Sequence, residues 1–154
     1  MSDVYEMLQK YHHIAVVGIS AKPDRPSHFV ALYLQSVGYD IIPINPQYAG
    51  RTLLGKRVYA SLTEASEAGE VIEIVDVFRR AQETPPLADE AARVGAKVLW
   101  LQQGIINDET GEQARAAGLD FVQDRCLKVE HARFFAGQAP VGSNASVSLS
   151  EKLD

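Results

Sequence analysis

The 154-residue chain contains a single cysteine, Cys126, which excludes an internal disulfide. A reducing cytoplasm is therefore the expected setting, since structural disulfides belong mainly to secreted domains. The chain also lacks an excess of basic residues, because its formal net charge is -5. General nucleic-acid-binding domains carry a strong basic excess, so we expect no nucleic-acid partner.

Long apolar runs are missing as well. No run approaches the ~20 residues that a helix needs to cross a bilayer, so we expect no membrane partner. The N-terminal stretch MSDVYEMLQKYHH is polar and amphipathic, without the uninterrupted apolar core of a signal peptide. With 46% apolar residues, the chain can nevertheless bury the core of one domain.

Five short apolar runs predict β-strands, the fifth more weakly than the others. They are Ile14–Ile19, Asp40–Asn45, Val71–Phe78, Lys97–Gln102 and Leu119–Asp124. Several are apolar at consecutive rather than alternating positions, which is typical of strands buried on both faces of a parallel sheet.

Helical patterns alternate with these runs. In the segment from Phe29 to Val37, five apolar residues are expected to share one helix face: Phe29, Val30, Tyr33, Leu34 and Val37. The other predicted helices are Asp3–Tyr11, a short helix opened by the capping box Ser61–Glu64, one from an N-cap at Thr84 to Arg93, one from Asn107 or Asp108 to Ala117, and one near Leu127–Phe135.

Glycines mark the junctions between these elements. Gly38, Gly69, Gly95 and Gly118 each close a helical pattern shortly before a strand, as expected of helix C-caps. Repeated strand–helix–strand units predict a doubly wound, Rossmann-like α/β domain with a mostly parallel sheet of about five strands. We assign residues 1–137 to this domain and expect residues 138–154, which are rich in serine, to form a flexible polar tail.

The first strand–helix loop, GISAKPDRPS from Gly18 to Ser27, has the features of an anion site. Gly18 is expected to let a ligand approach the backbone, and Ser27 to cap the helix. Between Ser20 and Arg57 there are five basic residues and two acidic ones, a local surplus within an acidic chain. The alternative is that Lys22 and Arg25 merely solvate an exposed loop.

The same loop lacks the glycines of two common phosphate sites. Neither G-x-G-x-x-G nor the P-loop pattern is present, which disfavours a dinucleotide site and an ATPase. The second predicted strand ends in Asn45, Pro46 and Gln47, without the carboxylate that holds a ribose in NAD sites. These absences disfavour an NAD(P)-binding protein, which we keep as an alternative hypothesis.

Six segments taken together resemble a known family. They are VVGISAKPDRPSH, GYDIIPINP, TLLGKRVYASL, VDVFR, GAKVLWLQQGI and DRCLKVEH, in this order, within about residues 8–135. This set is similar to small stand-alone CoA-binding proteins, which themselves resemble the CoA-binding domain of the succinyl-CoA synthetase alpha subunit. The resemblance implies coenzyme A, or an acyl-CoA, as the ligand.

The resemblance also implies which residues bind the cofactor. The loop residues that match the CoA phosphate site are Gly18, Ser20, Lys22, Arg25, Pro26 and Ser27. The residues that match the adenosine and 3′-phosphate site are Asn45 and Pro46, and those along the pantetheine path are Phe78, Arg79, Gln102, Gln103 and Gly104. Many relatives carry Lys or Arg where this chain has Gln47, so Arg51 is the candidate substitute and preference for CoA over dephospho-CoA is an open point.

Residues with catalytic potential do not form a recognisable constellation in the sequence. There is no HExxH motif and no paired Cys/His spacing, so we expect no metal site. Cys126 shows no partner base, and Asp76, Asp124, Trp100 and His131 are expected to be structural. The phosphorylated histidine of the synthetase lies on a further domain, which this chain is not expected to contain.

Three hypotheses follow for the function. The first, which we favour, is a module that binds CoA or acyl-CoA without catalysis of its own. The second is an enzyme, either a partner-dependent component of an acyl-CoA synthetase or an NAD(P) oxidoreductase. The third is a regulatory or scaffold protein with an unused pocket. A homodimer and an unidentified protein partner both stay open.

Overall fold

A computed structural model describes residues 3–135, which form a central sheet between two layers of helices. Five parallel strands make the sheet: β1 (His13–Val17), β2 (Asp40–Ile44), β5 (Ile74–Val77), β6 (Val98–Leu101) and β7 (Asp120–Val122). A separate antiparallel hairpin consists of β3 (Thr52–Leu53) and β4 (Lys56–Arg57). The helices are α1 (Val4–Lys10), α2 (Pro26–Ser36), α3 (Leu62–Glu67), α4 (Pro85–Arg93), α5 (Asp108–Ala116) and α6 (Leu127–Phe135).

The strand order is β2-β1-β5-β6-β7, and every pair within the sheet is parallel. The chain therefore leaves β1 in one direction to form β2 and then returns to the other side of β1 to form β5. This reversal makes the gap between β1 and β5 the switch point of the sheet. The predicted doubly wound α/β fold is confirmed.

The two faces of the sheet pack against different helices because strand side chains alternate. Ile14 and Val16 of β1 face the layer of α1, α2 and α6. Ala15 and Val17 face the layer of α3, α4 and α5. Trp100 is fully buried, as predicted, and its indole Nε1 donates to the carbonyl oxygen of Arg125 at 2.8 Å.

Most helix boundaries follow the predicted signals. Gly38, Gly69, Gly95 and Gly118 all have positive φ just after a helix, and Asn107 caps α5 by accepting from the Thr110 N–H at 3.0 Å. Ser61 likewise accepts from the Glu64 N–H at 3.0 Å.

Two local predictions are met only in part, and a third falls outside the described residues. Thr84 is the N-cap residue of α4, as predicted, but its own backbone is helical and its hydroxyl donates to the Ala81 carbonyl instead of accepting from a helix N–H. Phe29 is 39% exposed rather than buried with its neighbours on α2, and Lys128 of α6 lies over its ring. The predicted tail, residues 138–154, lies outside the described residues.

Candidate functional site

The candidate site lies at the carboxyl ends of β1 and β5, where open parallel sheets bind their ligands. A cleft of about 360 Å³ opens there. Three chain segments line it, and each begins directly after one of the strands β1, β2 and β5. The lining residues are Gly18, Asn45, Pro46, Gln47, Phe78, Arg79, Arg80 and Glu83.

Gly18 begins the loop after β1 and joins the two flanking strands. Its N–H donates to the Ile44 carbonyl at 2.9 Å, and its φ is +90°, a conformation that favours glycine. A Cβ at this position would stand 2.4 Å from the Phe78 carbonyl oxygen. The protein's own backbone therefore occupies the space that a side chain at residue 18 would need, and Gly18 itself lines the cleft.

Two serines fix the shape of the same loop. The Ser20 N–H donates to the Ser27 hydroxyl at 2.9 Å, and the Lys22 N–H donates to the Ser20 hydroxyl at 3.1 Å. The His28 ring Nδ1–H donates to the Ser20 carbonyl at 2.8 Å. The loop is therefore held by its own side chains.

The prediction that Ser27 caps α2 is wrong. Pro26 occupies the first helical position, for which its ring presets φ, so the helix begins before Ser27 and the N-cap is Arg25. The Ser27 hydroxyl instead turns back to the loop, as described above.

The two cations of the loop are presented to solvent. Lys22 and Arg25 are both exposed, and within residues 3–135 neither forms a salt bridge. Both stand at the N-terminus of the 11-residue helix α2, whose dipole also favours an anion there. These charges are available to a phosphorylated ligand.

Asn45 links the end of β2 to the loop after β1. Its side-chain Nδ2 donates to the Ile19 carbonyl at 2.8 Å, while its Oδ1 accepts from the Gln47 N–H at 2.9 Å. The second bond caps the short 3₁₀ helix Pro46–Tyr48. Asn45 thus fixes the relative position of two cleft walls.

Arg79 and Arg80 share one carboxylate in the cleft. Glu83 Oε1 accepts from Arg79 Nε at 3.0 Å and from Arg79 Nη2 at 2.5 Å, while Glu83 Oε2 accepts from Arg80 Nε at 2.9 Å. The hydrogen bond from Arg79 is the main reason that the pKa of Glu83 lies below its ordinary value; burial opposes it and Arg80 reinforces it. Arg80 and Glu83 were not among the residues predicted from the sequence, although their spacing of three residues beside Arg79 is typical of an ion pair.

Two further arginines near the end of β2 lie over tyrosine rings. The guanidinium carbon of Arg51 lies 5.8 Å from the centre of the Tyr48 ring, and that of Arg57 lies 5.8 Å from the Tyr59 ring. Arg51 follows the exposed Gln47 closely in the chain and remains the candidate cation on this side of the cleft.

The three predicted site residues that follow β6 lie outside the cleft lining. Gln102 is buried, whereas Gln103 and Gly104 are exposed, and none of the three lines the cleft. The Gly104 N–H donates to Asp124 Oδ1 at 2.8 Å. Ser20, Lys22, Arg25, Pro26 and Ser27 also lie outside the cleft lining, in the loop and helix start that follow Gly18.

Gln102 is bound to a fully buried acid, Asp76. Gln102 Nε2 donates to Asp76 Oδ1 at 2.8 Å, and Asp76 Oδ2 has no hydrogen-bond partner among the described residues. Burial raises the pKa of Asp76 to about 8, with the Gln102 hydrogen bond acting in the opposite direction. Asp76 is therefore mostly protonated at neutral pH, which reduces the cost of burying it.

Other titratable groups lie away from the cleft. His131 is buried against Tyr33, whose hydroxyl is hydrogen-bonded to His131 Nδ1 at 2.8 Å, and burial lowers the pKa of His131 to about 4. Cys126 is half-buried against the core. In the part of the chain that the structure describes, no group of three or more His, Cys, Asp or Glu side chains could hold a metal ion. Nor does any helix there have the length and apolar character to cross a membrane.

Comparison with known proteins relates this site to one family. The family model of the CoA binding domain matches residues 12–132, which include the whole cleft. The Bacillus subtilis (strain 168) protein YneT is 40% identical over 131 residues, covering 85% of this chain and 93% of YneT.

Solved structures have the same fold. A Thermus thermophilus protein superimposes with a TM-score of 0.81 at 36% identity, over 88% of this chain and 100% of that one. A Pyrococcus horikoshii OT3 protein gives 0.77 at 39% identity, over 84% and 87%. A dinucleotide-forming acetyl-coenzyme A synthetase from Ca. Korarchaeum cryptofilum shares the fold alone, with 19% identity, a TM-score of 0.64, and coverage of 79% of this chain and 28% of the synthetase. This chain is a member of the CoA binding domain family.

Proposed function

We propose that this protein binds coenzyme A or an acyl-CoA at the switch point of its sheet, without catalysing a reaction of its own. The observation that carries the proposal is a pair of exposed cations at the start of α2 within the matched domain, Lys22 and Arg25, neither of which forms a salt bridge with any residue from 3 to 135. CoA is a polyanion, and such cations bind its phosphates by charge-assisted hydrogen bonds. The cleft, which begins at Gly18 of the same loop, would receive the adenosine and the 3′-phosphate.

The residues present fit this ligand in their chemistry. The end of β2 offers the Asn45 amide and the neighbouring Arg51 instead of a ribose-binding carboxylate. The end of β5 contributes Phe78, Arg79 and Arg80 to the same cleft, so this wall is partly apolar and partly cationic. This distribution of charge disfavours NAD and favours a ligand with three phosphates.

The test is to titrate CoA into the ligand-stripped protein and into Arg25→Ala. Loss of one charge-assisted contact should weaken binding by roughly 1–3 kcal/mol. Arg93→Ala is the matched control, because Arg93 is an exposed arginine at the end of α4, away from the cleft lining, and it pairs with Asp89. Equal affinity of Arg25→Ala and wild type, with both folds intact, would move the phosphates elsewhere.

A second candidate function is that of a synthetase component. The shared fold with an acetyl-coenzyme A synthetase, of which this chain covers 28%, is the observation that favours it. Formation of an acyl-CoA only after addition of a nucleotide-binding partner protein would support this candidate. CoA binding without turnover in the presence of such a partner would support the binding module.

A further inference from the structure

Glu83 is the one acidic side chain in the lining of the cleft. It lies in the turn between β5 and α4, at the end of the short 3₁₀ helix Ala81–Glu83. Both of its carboxylate oxygens are occupied by arginines of the same lining. Arg79 and Arg80, the arginines that follow β5, are therefore already paired with a carboxylate.

The position of Arg79 makes this pairing relevant to the ligand. Its Cδ lies 3.0 Å from the place that a Cβ of Gly18 would take, so the side chain runs over the start of the loop after β1. Arg79 and Arg80 are 39% and 78% exposed, so a phosphate could reach either guanidinium from solvent. The carboxylate of Glu83 occupies the donors that such a phosphate would use.

We propose that Glu83 sets the affinity of the cleft for phosphorylated ligands by competing with the ligand phosphate for Arg79 and Arg80. The inference rests on the proposed function. With Glu83 in place, the three side chains contribute a net charge of +1 to the cleft, and without its carboxylate they contribute +2. A bound ligand phosphate replaces Glu83 as the partner of at least one arginine.

The expected effect follows from the exposure of the two ion pairs. Exposed pairs are individually weak, and breaking each costs the ligand a few-fold in affinity. Glu83→Gln should therefore bind CoA about tenfold more tightly than wild type. The affinity of the variant should also fall more steeply with ionic strength, because more ligand charge is neutralised by freed arginines.

Isothermal titration of CoA into wild type and Glu83→Gln at several salt concentrations tests this. The matched control is Asp89→Asn, which makes the same carboxylate-to-amide change in an exposed ion pair on α4 and so reports the effect of net charge alone. A tenfold gain and a steeper salt dependence in Glu83→Gln, with neither in Asp89→Asn, support the inference.

A second variant separates competition from a merely structural role. If Glu83 acts through Arg79 and Arg80, then Glu83→Gln should gain much less affinity in a background in which both arginines are replaced by Gln than in wild type. Equal or weaker CoA binding by Glu83→Gln, or an undiminished gain without both arginines, overturns the inference alone. Absence of CoA binding by every form, wild type included, overturns the proposed function and this inference with it.

Discussion

The buried acid Asp76 predicts a specific dependence of stability on pH. Its pKa is raised to about 8 in the folded protein, against 3.8 in an unfolded chain. Between these two values the folded state binds one more proton than the unfolded state, so raising the pH lowers the free energy of unfolding. The stability that Asp76 contributes is complete below pH 3.8 and is lost as the pH rises through about 8.

The magnitude follows from the linkage slope. One proton difference changes the free energy of unfolding by about 1.4 kcal/mol per pH unit. From pH 5 to pH 7, both within the window, Asp76 should therefore cost about 2–3 kcal/mol of stability. Asp76→Asn removes this titration while its side-chain oxygen can still accept from Gln102 Nε2.

The assay is urea unfolding of wild type and Asp76→Asn at pH 5, 6 and 7, followed by the fluorescence of the buried Trp100. The wild-type free energy of unfolding minus that of the variant should fall by about 2–3 kcal/mol across this range. Other titrating groups cancel in this difference, and the exposed Asp89→Asn should show no such trend. A difference that stays constant from pH 5 to pH 7 would refute the assignment of a protonated Asp76.

Two further predictions concern residues of the fold. Gly18→Ala should destabilise the protein by roughly 2–4 kcal/mol, since its Cβ would stand 2.4 Å from the Phe78 carbonyl at a positive φ, whereas Gly50→Ala, with φ +85° and nothing within 4 Å, should cost only about 1 kcal/mol. Equal melting temperatures of the two variants would contradict the clash. Burial lowers the pKa of His131 to about 4, so its contribution to the free energy of unfolding should fall as the pH drops from 6.5 toward 4. The wild-type free energy of urea unfolding minus that of His131→Gln should therefore be smaller at pH 5 than at pH 6.5, since the opposite contribution of Asp76 cancels in this difference; a constant difference would contradict the lowered pKa.

The fold was predictable because its signals are local. Consecutive apolar residues such as Val98–Leu101 are typical of strands buried on both faces, and the glycines after α2 and α4 mark where those helices end. The strand order was not among these signals, since it depends on how β5 returns to the far side of β1.

The predictions that failed depend on contacts between distant segments. Ser27 looks like an N-cap, but its hydroxyl binds the Ser20 N–H because Pro26 already starts the helix. Phe29 belongs to the apolar pattern of α2, yet it is partly exposed and its ring lies beside Lys128 of α6 rather than in the core. Residue type and spacing alone do not reveal either arrangement.

Part of the candidate site could also be predicted from local sequence signals. Gly18, Asn45, Pro46, Phe78 and Arg79 line the cleft, since the carboxyl ends of neighbouring parallel strands meet at one edge. The sequence drew attention to the cations of the loop but not to Glu83. Whether a carboxylate neutralises a nearby arginine depends on side-chain geometry, which a charge count does not contain.

The central claim is that the cleft and the loop after β1 bind CoA. The most direct measurement is isothermal titration of the ligand-stripped protein with CoA, dephospho-CoA and NAD in parallel. CoA should bind and NAD should not, and stronger binding of CoA than of dephospho-CoA would show that the 3′-phosphate contributes to binding. Binding of NAD without binding of either CoA form would contradict the proposed function.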